Sequence, residues 1–345
     1  MIRSALLLCA AGLAAVTFAC VAPPVAPPAP PPPPIHARIA AACTFDASQV
    51  VVTLTPGFDA AAYGNCKPTG CSASPPTPDT SAPGLNQTLI DTIQQVFDHS
   101  SQNFQSEMCQ LDHIYIDTDQ NSVNTAPWGI RERARNGRRH IGIPLRTLTV
   151  FSDYSSLENS ILNTLLNTTW SDTIAAVPNT PEMMIAAILA HEIGHIVWWA
   201  LPIPPGICQN NDDFFITWRS VIRSPAHGFH NFGGEQPGNM PIERFKFSNV
   251  KYDVNNNNLN RLSTVYSDGN WPSLFGFVAP DEDFIETYKL VTLTSRDPQS
   301  SSQLTHLYVT IPNNTASIDM VSVLNDPNTN LYAKAQWINT CVGTP

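Results

Sequence analysis

Charged residues are scarce in this chain of 345 residues. Asp, Glu, Lys and Arg make up 13% of the sequence, about half of their usual share. The 28 acidic residues outnumber the 18 basic ones, so the formal net charge is −10 at pH 7. A chain so short of positive charge is a poor match for a phosphate backbone or an anionic lipid surface. The composition therefore excludes nucleic acid as a partner.

Glycine is also scarce, with 17 residues against 31 prolines. The prolines are unevenly spread, since nine of them lie between Pro23 and Pro34. After that stretch the composition is that of a globular protein made polar by Asn, Ser and Thr, and no internal repeat or second composition follows. The sequence therefore predicts one domain over residues 43–345.

Long apolar runs are missing apart from one, which extends from Ala5 to Ala19 behind the basic Arg3. A short basic start and an apolar stretch of this length are typical of a secretory signal, here predicted over residues 1–20. The run is too short for an ordinary membrane-spanning helix, although an uncleaved anchor is the alternative. We therefore expect a secreted or extracytoplasmic protein, in the periplasm or cell envelope.

A proline-rich spacer is predicted over residues 21–42, because repeated prolines favour an extended polyproline II conformation that cannot join a core. The sequence Thr17-Phe18-Ala19-Cys20 loosely resembles the lipobox of bacterial lipoproteins. Lipidation of Cys20 is therefore an alternative to free secretion. Only in that case do we expect a membrane partner.

Paired cysteines with zinc-ribbon spacing are absent, which favours disulfides over a cysteine-bound metal. Six cysteines follow the predicted signal, and six form three disulfides in any of fifteen connectivities. Cys341 is expected to tie the C-terminal end to the body. The six are Cys43, Cys66, Cys71, Cys109, Cys208 and Cys341.

Hydrophobic periodicity predicts a mixed α+β fold. Apolar residues recur at helical spacing in some segments, and β-branched runs mark others. Strands are predicted at residues 49–55, 112–117, 307–311 and 318–324, and helices around 89–97 and over 157–170, 181–200 and 281–290.

A hairpin is predicted over residues 129–144, because Asn136-Gly137 between two strand-like runs is typical of a tight turn. Two interpretations fit its arginines: a charged edge kept soluble, or a basic lip that attracts acidic substrates. We expect the arm at 138–144 to be an edge strand that pairs with an extended peptide. The arginines are Arg131, Arg133, Arg135, Arg138 and Arg139.

The motif HExxH lies at His191 to His195, inside an otherwise apolar segment. Thr180 suits the N-cap and Pro181 the first helical position, so a helix is predicted. Positions i and i+4 share one helix face, so both imidazoles can bind one metal ion while Glu192 polarises water. The motif predicts a catalytic Zn²⁺ site with His191 and His195 as ligands and Glu192 as general base.

The third ligand decides the class of enzyme. The metzincin continuation is excluded by Trp198 and Leu201, and no aspzincin motif is present. Residues 281–290, which place Glu282 and Glu286 on one helix face, resemble the glutamate helix of gluzincin peptidases, the thermolysin-like and lethal-factor-like enzymes. The resemblance implies a zincin-like metallopeptidase fold in which Glu282 is the third ligand and Glu286 orients a histidine.

This resemblance also implies hydrolysis of peptide bonds in a protein or peptide substrate. Related peptidases carry a tyrosine before the glutamate helix, so Tyr266 is expected to stabilise the oxyanion, with Tyr288 and Tyr252 as alternatives. His227 and His230 lie in a predicted loop and are weaker candidates for ligands. Two other functions stay open: a secreted zincin-like binding module without turnover, and an effector or toxin protease with one narrow target.

Overall fold

Helices and strands are mixed along the chain in an α+β fold. A computed structural model describes residues 43–64, 73–131, 137–166, 169–170, 173–200, 266–267, 269–276, 280–300, 302–312 and 317–343. The helices are α1 Ala47–Val50, α2 Ala60–Gly64, α3 Gln87–Asp98, α4 Gln102–Met108, α5 Leu145–Val150, α6 Tyr154–Leu166, α7 Pro181–Ala200, α8 Pro280–Thr294, α9 Met320–Asn325 and α10 Asn330–Cys341. The strands are β1 Val51–Thr53, β2 His113–Asp117, β3 Trp128–Arg131, β4 Arg139–Pro144, β5 Ile174–Val177, β6 His306–Thr310 and β7 Ser317–Asp319.

The larger sheet has the strand order β1-β2-β4-β3. Strands β1, β2 and β4 are parallel, and β3 runs antiparallel to β4, with Trp128 opposite Gly142. The predicted hairpin is therefore present, and Gly137 in its turn has the positive φ of 71° that favours glycine. The prediction that residues 138–144 form an edge strand is wrong, since β4 lies between β2 and β3 and is buried along its length. The edge strand of the hairpin is β3, and β1 is the edge on the other side of the sheet.

The sheet is covered on both faces. Ile114, Ile116, Ile141 and Ile143 point to the main core, in which α7 is central. Tyr115 and Trp128 point to the opposite face, where Leu54 and Ala60 complete a smaller core. Burial on both faces explains the run of apolar residues in the parallel strands.

Two predicted strands are partly helical because an aspartate caps a turn. The strand predicted over residues 49–55 is reduced to β1, since Asp46 accepts a hydrogen bond from the Ser48 amide and starts α1. The strand predicted over residues 318–324 ends at Asp319, whose side chain caps α9 through the Val321 amide. A carboxylate that satisfies the first amides of a turn favours helix over strand.

The other predicted elements agree with the structure more closely. The helix around residues 89–97, the strand at 112–117 and the helix at 181–200 are confirmed, as is the strand at 307–311 within one residue. The helix predicted over 157–170 is α6, which begins at Tyr154 and ends at Leu166. A second sheet, β5-β6-β7, is antiparallel.

One disulfide is described, and it joins Cys43 to Cys109. This bond fastens the beginning of the described chain to the end of α4, 66 residues away in sequence. Among the described residues, no helix combines the length and hydropathy that crossing a membrane requires. The remaining predictions fall outside the described residues: the signal, the spacer, Cys66, Cys71, Cys208, the side chain of Cys341, Asn136, Arg133, Arg135, His227, His230 and Tyr252.

Candidate metal centre

Helix α7 carries the HExxH motif and begins where its sequence predicts. The Thr180 hydroxyl accepts a hydrogen bond from the Met183 amide at 3.1 Å, which caps the first turn. The helix is apolar on all sides, so it is buried in the core. Because the helix is buried, the backbone that carries the two motif histidines is held in one position.

Helix α8 packs along α7 and brings the glutamates to the motif. The two helices approach closely at Gly194, where an added Cβ would lie 3.1 Å from the Cγ2 atom of Ile285. Contacts of that length are tighter than ordinary van der Waals packing. Glycine at this position therefore allows α8 to lie close to the motif.

His191, His195 and Glu282 converge on one point. Their ligand atoms all lie within 4.8 Å of one another. The Glu282 carboxylate oxygens are 3.7 Å from His191 Nε2 and 3.8 Å from His195 Nε2. Nitrogen and oxygen ligands around tetrahedral zinc lie about 3.4 Å apart, given bonds of about 2.1 Å. The donor types and their spacing therefore fit zinc with little movement.

Glu286 occupies the position of a residue that orients a ligand. Its Oε1 lies 2.8 Å from His191 Nδ1, and its carboxylate is 1% exposed. The Ser273 hydroxyl donates a hydrogen bond of 2.6 Å to Glu286 Oε2. With Nδ1 engaged in this way, His191 presents Nε2 to the ligand cluster, as the expected roles of Glu282 and Glu286 require.

Two further residues support Glu286, and neither was predicted from the sequence. Lys289 Nζ lies 2.8 Å from the Glu286 carboxylate and donates a 2.8 Å hydrogen bond to Glu158 Oε1. The Lys289 and Glu158 side chains are each 7% exposed. Lys289 is one helical turn from Glu286, so the sequence carried a signal for it. Glu158 is 131 residues away from Lys289, and no sequence pattern linked it to the site.

The two motif histidines differ in charge. Burial, together with the neighbouring His191 charge, lowers the pKa of His195 to about 3. Burial opposes the charge of His191 too, but the hydrogen bond to Glu286 and the surrounding carboxylates raise its pKa to about 9. Without a metal His195 is thus neutral and His191 protonated, so binding of a metal here would require His191 to release a proton.

Glu192 is 4% exposed and lies beside the ligand cluster. Burial raises its pKa to about 7, against the effect of the His191 charge. A carboxylate with a pKa near neutrality can both accept and return a proton. Glu192 therefore has the properties of a general base.

A cavity of about 600 Å³ opens beside these residues. His191, Glu192, His195 and Glu282 lie on one side of it. Its other walls come from the loop 125–127 and from α5, α6 and α8, and they include Leu157, Ile161, Leu165, Val150, Phe151 and Phe275. A concave, largely apolar space beside convergent polar groups is typical of a substrate site.

The edge strand β3 lies directly against the motif. A Cβ added at Gly129 would be 2.2 Å from the Glu192 carbonyl oxygen, so only glycine fits. The loop 125–127, which leads into β3, lines the cavity. The edge strand and the general base are therefore neighbours.

The predicted oxyanion residue Tyr266 is buried, and its hydroxyl accepts a 3.0 Å hydrogen bond from the Leu274 amide. It does not line the cavity. The alternative Tyr288 is also buried, and burial together with the charge of Glu107 raises the pKa of its hydroxyl. Neither tyrosine is placed by the described structure on the cavity surface, so a role in oxyanion stabilisation stays a prediction.

The described arginines of the hairpin do not form a basic lip. Arg139 is buried and pairs with Glu107, and Arg138 lies 3.7 Å from Asp112. None of Arg131, Arg138 and Arg139 lines the cavity. In the described part of the hairpin, the buried Arg139 thus forms an ion pair with Glu107 and does not face the cavity.

The chain matches no protein-family model, no curated protein and no solved structure. Its likeness to gluzincins is therefore confined to the motif, the later glutamates and their spacing. The site has to be interpreted from its own geometry and chemistry.

Proposed function

We propose that this chain is an exported zinc-dependent metalloendopeptidase with a zincin-like fold. The observation that carries the proposal is the convergence of His191, His195 and Glu282, with the buried Glu192 beside them. Two histidines and a glutamate with an adjacent carboxylate are the donor set of a hydrolytic zinc site. The predicted signal and the Cys43–Cys109 disulfide support export.

His191, His195 and Glu282 would hold the zinc ion. When bound, zinc supplies Lewis-acid chemistry: it polarises the scissile carbonyl and lowers the pKa of water. Glu286 keeps the Nδ1 proton of His191 in place, so that Nε2 is available as a ligand. Lys289 balances the charge of Glu286 and fixes its carboxylate.

Glu192 moves the proton. It accepts a proton from the attacking water and returns it to the nitrogen of the leaving amine, since its carboxylate lies in the same cavity as the ligands. Burial raises the pKa of Glu192 to about 7, so the carboxylate can both accept and release a proton near neutral pH. Each turnover thus returns Glu192 to its starting state.

The edge strand β3 offers a binding place for the substrate backbone. In the described part of the chain its only strand partner is β4, so its other side can pair with an extended peptide. A peptide paired there would pass beside Glu192, because Gly129 touches the Glu192 backbone. This position of β3 corrects the expectation that β4 would bind the peptide.

The test is a metal assay combined with hydrolysis of an unfolded protein such as casein. We expect about one zinc per chain and cleavage that a chelator abolishes. Glu192→Gln should keep the zinc and lose at least about 10²-fold in turnover, the scale for loss of a general base. Asp98→Asn, on the surface of α3, is the matched control.

Three results would contradict the proposal. A protein without zinc at the site would remove its basis. Full activity in Glu192→Gln would exclude Glu192 as the base. Zinc binding without cleavage of any substrate would favour the secreted binding module instead.

A further inference from the structure

The cavity extends beyond the metal ligands to a wall formed by α6. Aliphatic side chains of Leu157, Ile161 and Leu165 face it, and Ile188 of α7 adds to the same surface. A cavity of about 600 Å³ is large enough to admit a side chain as large as an aromatic one. The walls thus form a compartment for an apolar group next to the reacting centre.

One charged side chain interrupts this apolar wall. Glu158 lines the cavity but is only 6% exposed, and its Oε1 accepts the hydrogen bond from Lys289. The hydrogen bond from Lys289 is made to Glu158 Oε1, which leaves Oε2 as the carboxylate oxygen that a group in the cavity can reach. An ionised carboxylate oxygen accepts a strong hydrogen bond, so a donor that enters this largely apolar cavity is favoured.

We propose that the cavity binds a substrate side chain with an apolar body and an uncharged hydroxyl at its end, as in tyrosine, and that this hydroxyl donates to Glu158 Oε2. The proposal rests on the proposed function, because it treats the cavity as part of the substrate site. Glu158 is then a specificity-determining residue, in addition to its contact with Lys289.

The charges around Glu158 favour an uncharged donor over an ion. A cationic side chain would come close to Lys289, whose Nζ already lies 2.8 Å from Glu158 Oε1. An anionic side chain would meet the carboxylates of Glu158 and Glu286. Arg146, the other basic residue at the cavity, is exposed, where solvent screens its charge. A phenolic hydroxyl can donate without adding charge.

The experiment uses the full chain with zinc and two blocked hexapeptides. Each has alanine at every position except one, which holds tyrosine in one peptide and phenylalanine in the other. Because alanine fills the other positions, each peptide can bind in the register that places its one large side chain in the cavity. We expect kcat/KM to be about 10–100-fold higher for the tyrosine peptide, the scale for a hydrogen bond to a charged acceptor.

Glu158→Gln weakens this preference by a specific mechanism. Lys289 is a donor, so the glutamine must turn its carbonyl oxygen to Lys289 and its NH₂ group to the cavity. The tyrosine hydroxyl can then only accept from this neutral donor, so the ratio between the two peptides should fall by about 5–10-fold. Asp91→Asn, on the exposed face of α3, should keep the ratio of the wild type.

Two further peptides test the preference without any variant. 4-Aminophenylalanine carries an uncharged donor and should behave like tyrosine, whereas 4-fluorophenylalanine carries none and should behave like phenylalanine. A lysine peptide should be a poorer substrate than the tyrosine peptide. Equal rates for tyrosine and phenylalanine, an undiminished tyrosine preference in Glu158→Gln, or a preference for lysine would each overturn the proposal.

Binding measurements separate this proposal from the proposed function. Zinc-loaded Glu192→Gln protein is titrated with the same peptides by calorimetry, with and without Glu158→Gln. Tighter binding of the tyrosine peptide that depends on Glu158, in a protein whose wild type cleaves nothing, would support the subsite and contradict the peptidase. Cleavage by the wild type with equal binding of both peptides would support the peptidase and contradict the subsite.

Discussion

Helices α7 and α8 together form the candidate metal centre, but they are stabilised in different ways. Helix α7 is apolar on all sides, and Glu192 is its buried charged residue, whereas Glu182 and the two motif histidines are half-buried. Helix α8 buries three charged residues, Asp283, Glu286 and Lys289, each of which pairs with another charged or polar group. Both helices pack into the core, and α8 adds buried ion pairs to that packing.

This difference separates the groups that would bind the metal from the groups that hold those residues in position. The two histidines on α7 need only one turn of helix to face the same way. Glu282 on α8 reaches them only if the whole helix is held in the right place, and core packing and the ion pairs of α8 both hold it. Substitutions on α7 should therefore affect the metal, and substitutions among the partners of α8 should affect stability or geometry.

The largest effect is expected at the ligands themselves. Glu282→Ala removes one of three ligands, so zinc affinity and activity should be lost together, while the fold persists in the apo form. Glu286→Ala should lower zinc affinity by only about 10–100-fold, as loss of an orienting partner does. Zinc titration of both variants shows which one loses more zinc affinity. If Glu286→Ala alone loses zinc, Glu286 is the ligand and Glu282 is the orienting residue.

The next largest effect is expected at Lys334 on α10. Its Nζ donates to both Asp283 carboxylate oxygens, at 2.7 and 2.6 Å, and to the Asn270 carbonyl oxygen. Lys334→Met leaves Asp283 buried without its charge partner and should lower the free energy of unfolding by about 3–5 kcal/mol. Denaturant unfolding measures this change.

A double variant provides the control for Lys334. Asp283→Leu combined with Lys334→Met removes both charges at once, so much of the stability should return. If the double variant is no more stable than Lys334→Met, the cost comes from lost packing over the Trp271 ring, which lies 4.4 Å from Lys334 Nζ. The placement of α8 would then not depend on the ion pair.

A smaller effect, confined to the site, is expected at Lys289. Lys289→Met removes the cation that lies between Glu158 and Glu286, so His191 is held less firmly. Zinc affinity and kcat should both fall, by about 10–100-fold. Lys289→Arg should restore part of the loss, since it keeps the charge. A variant with normal zinc affinity and normal kcat would show that Lys289 has no role in positioning.

The smallest effect is expected at the first turn of α7. Glu182 accepts hydrogen bonds from Arg296 and lies 3.0 Å from His99 Nδ1. Glu182→Gln keeps an acceptor and loses the charge, so the free energy of unfolding should fall by about 1 kcal/mol. Zinc affinity should not change. A loss as large as that of Lys334→Met would contradict the view that the core alone holds α7.

Sequence patterns predicted the features that depend on residues close together in the chain. The boundaries of α7 follow from Thr180 and Pro181, and the pairing of β3 with β4 follows from a local turn. The position of β4 inside the sheet could not be read, because it depends on pairing with β2. The helix at Met320 was missed because a short aliphatic run fits helix and strand alike, and the Asp319 cap decides between them.

Long-range ion pairs had no sequence signal. Glu158 and Lys289 are 131 residues apart, and Asp283 and Lys334 are 51 apart. No pattern within a single segment joins such residues. Glu282 could be predicted as the third ligand only because its spacing from Glu286 resembles a known arrangement. The residues that support these two glutamates were visible only in three dimensions.

Gly194 has a consequence for how this protein can change over evolutionary time. Most apolar positions of α7 can exchange one aliphatic residue for another of similar volume, because a core tolerates such drift. Position 194 has less freedom, since a methyl group there would lie 3.1 Å from Ile285 Cγ2 and would push that side chain away. The close approach of α8 to the two histidines therefore depends in part on the absence of a side chain. Related chains that keep the three candidate ligands should change around this glycine more readily than at it.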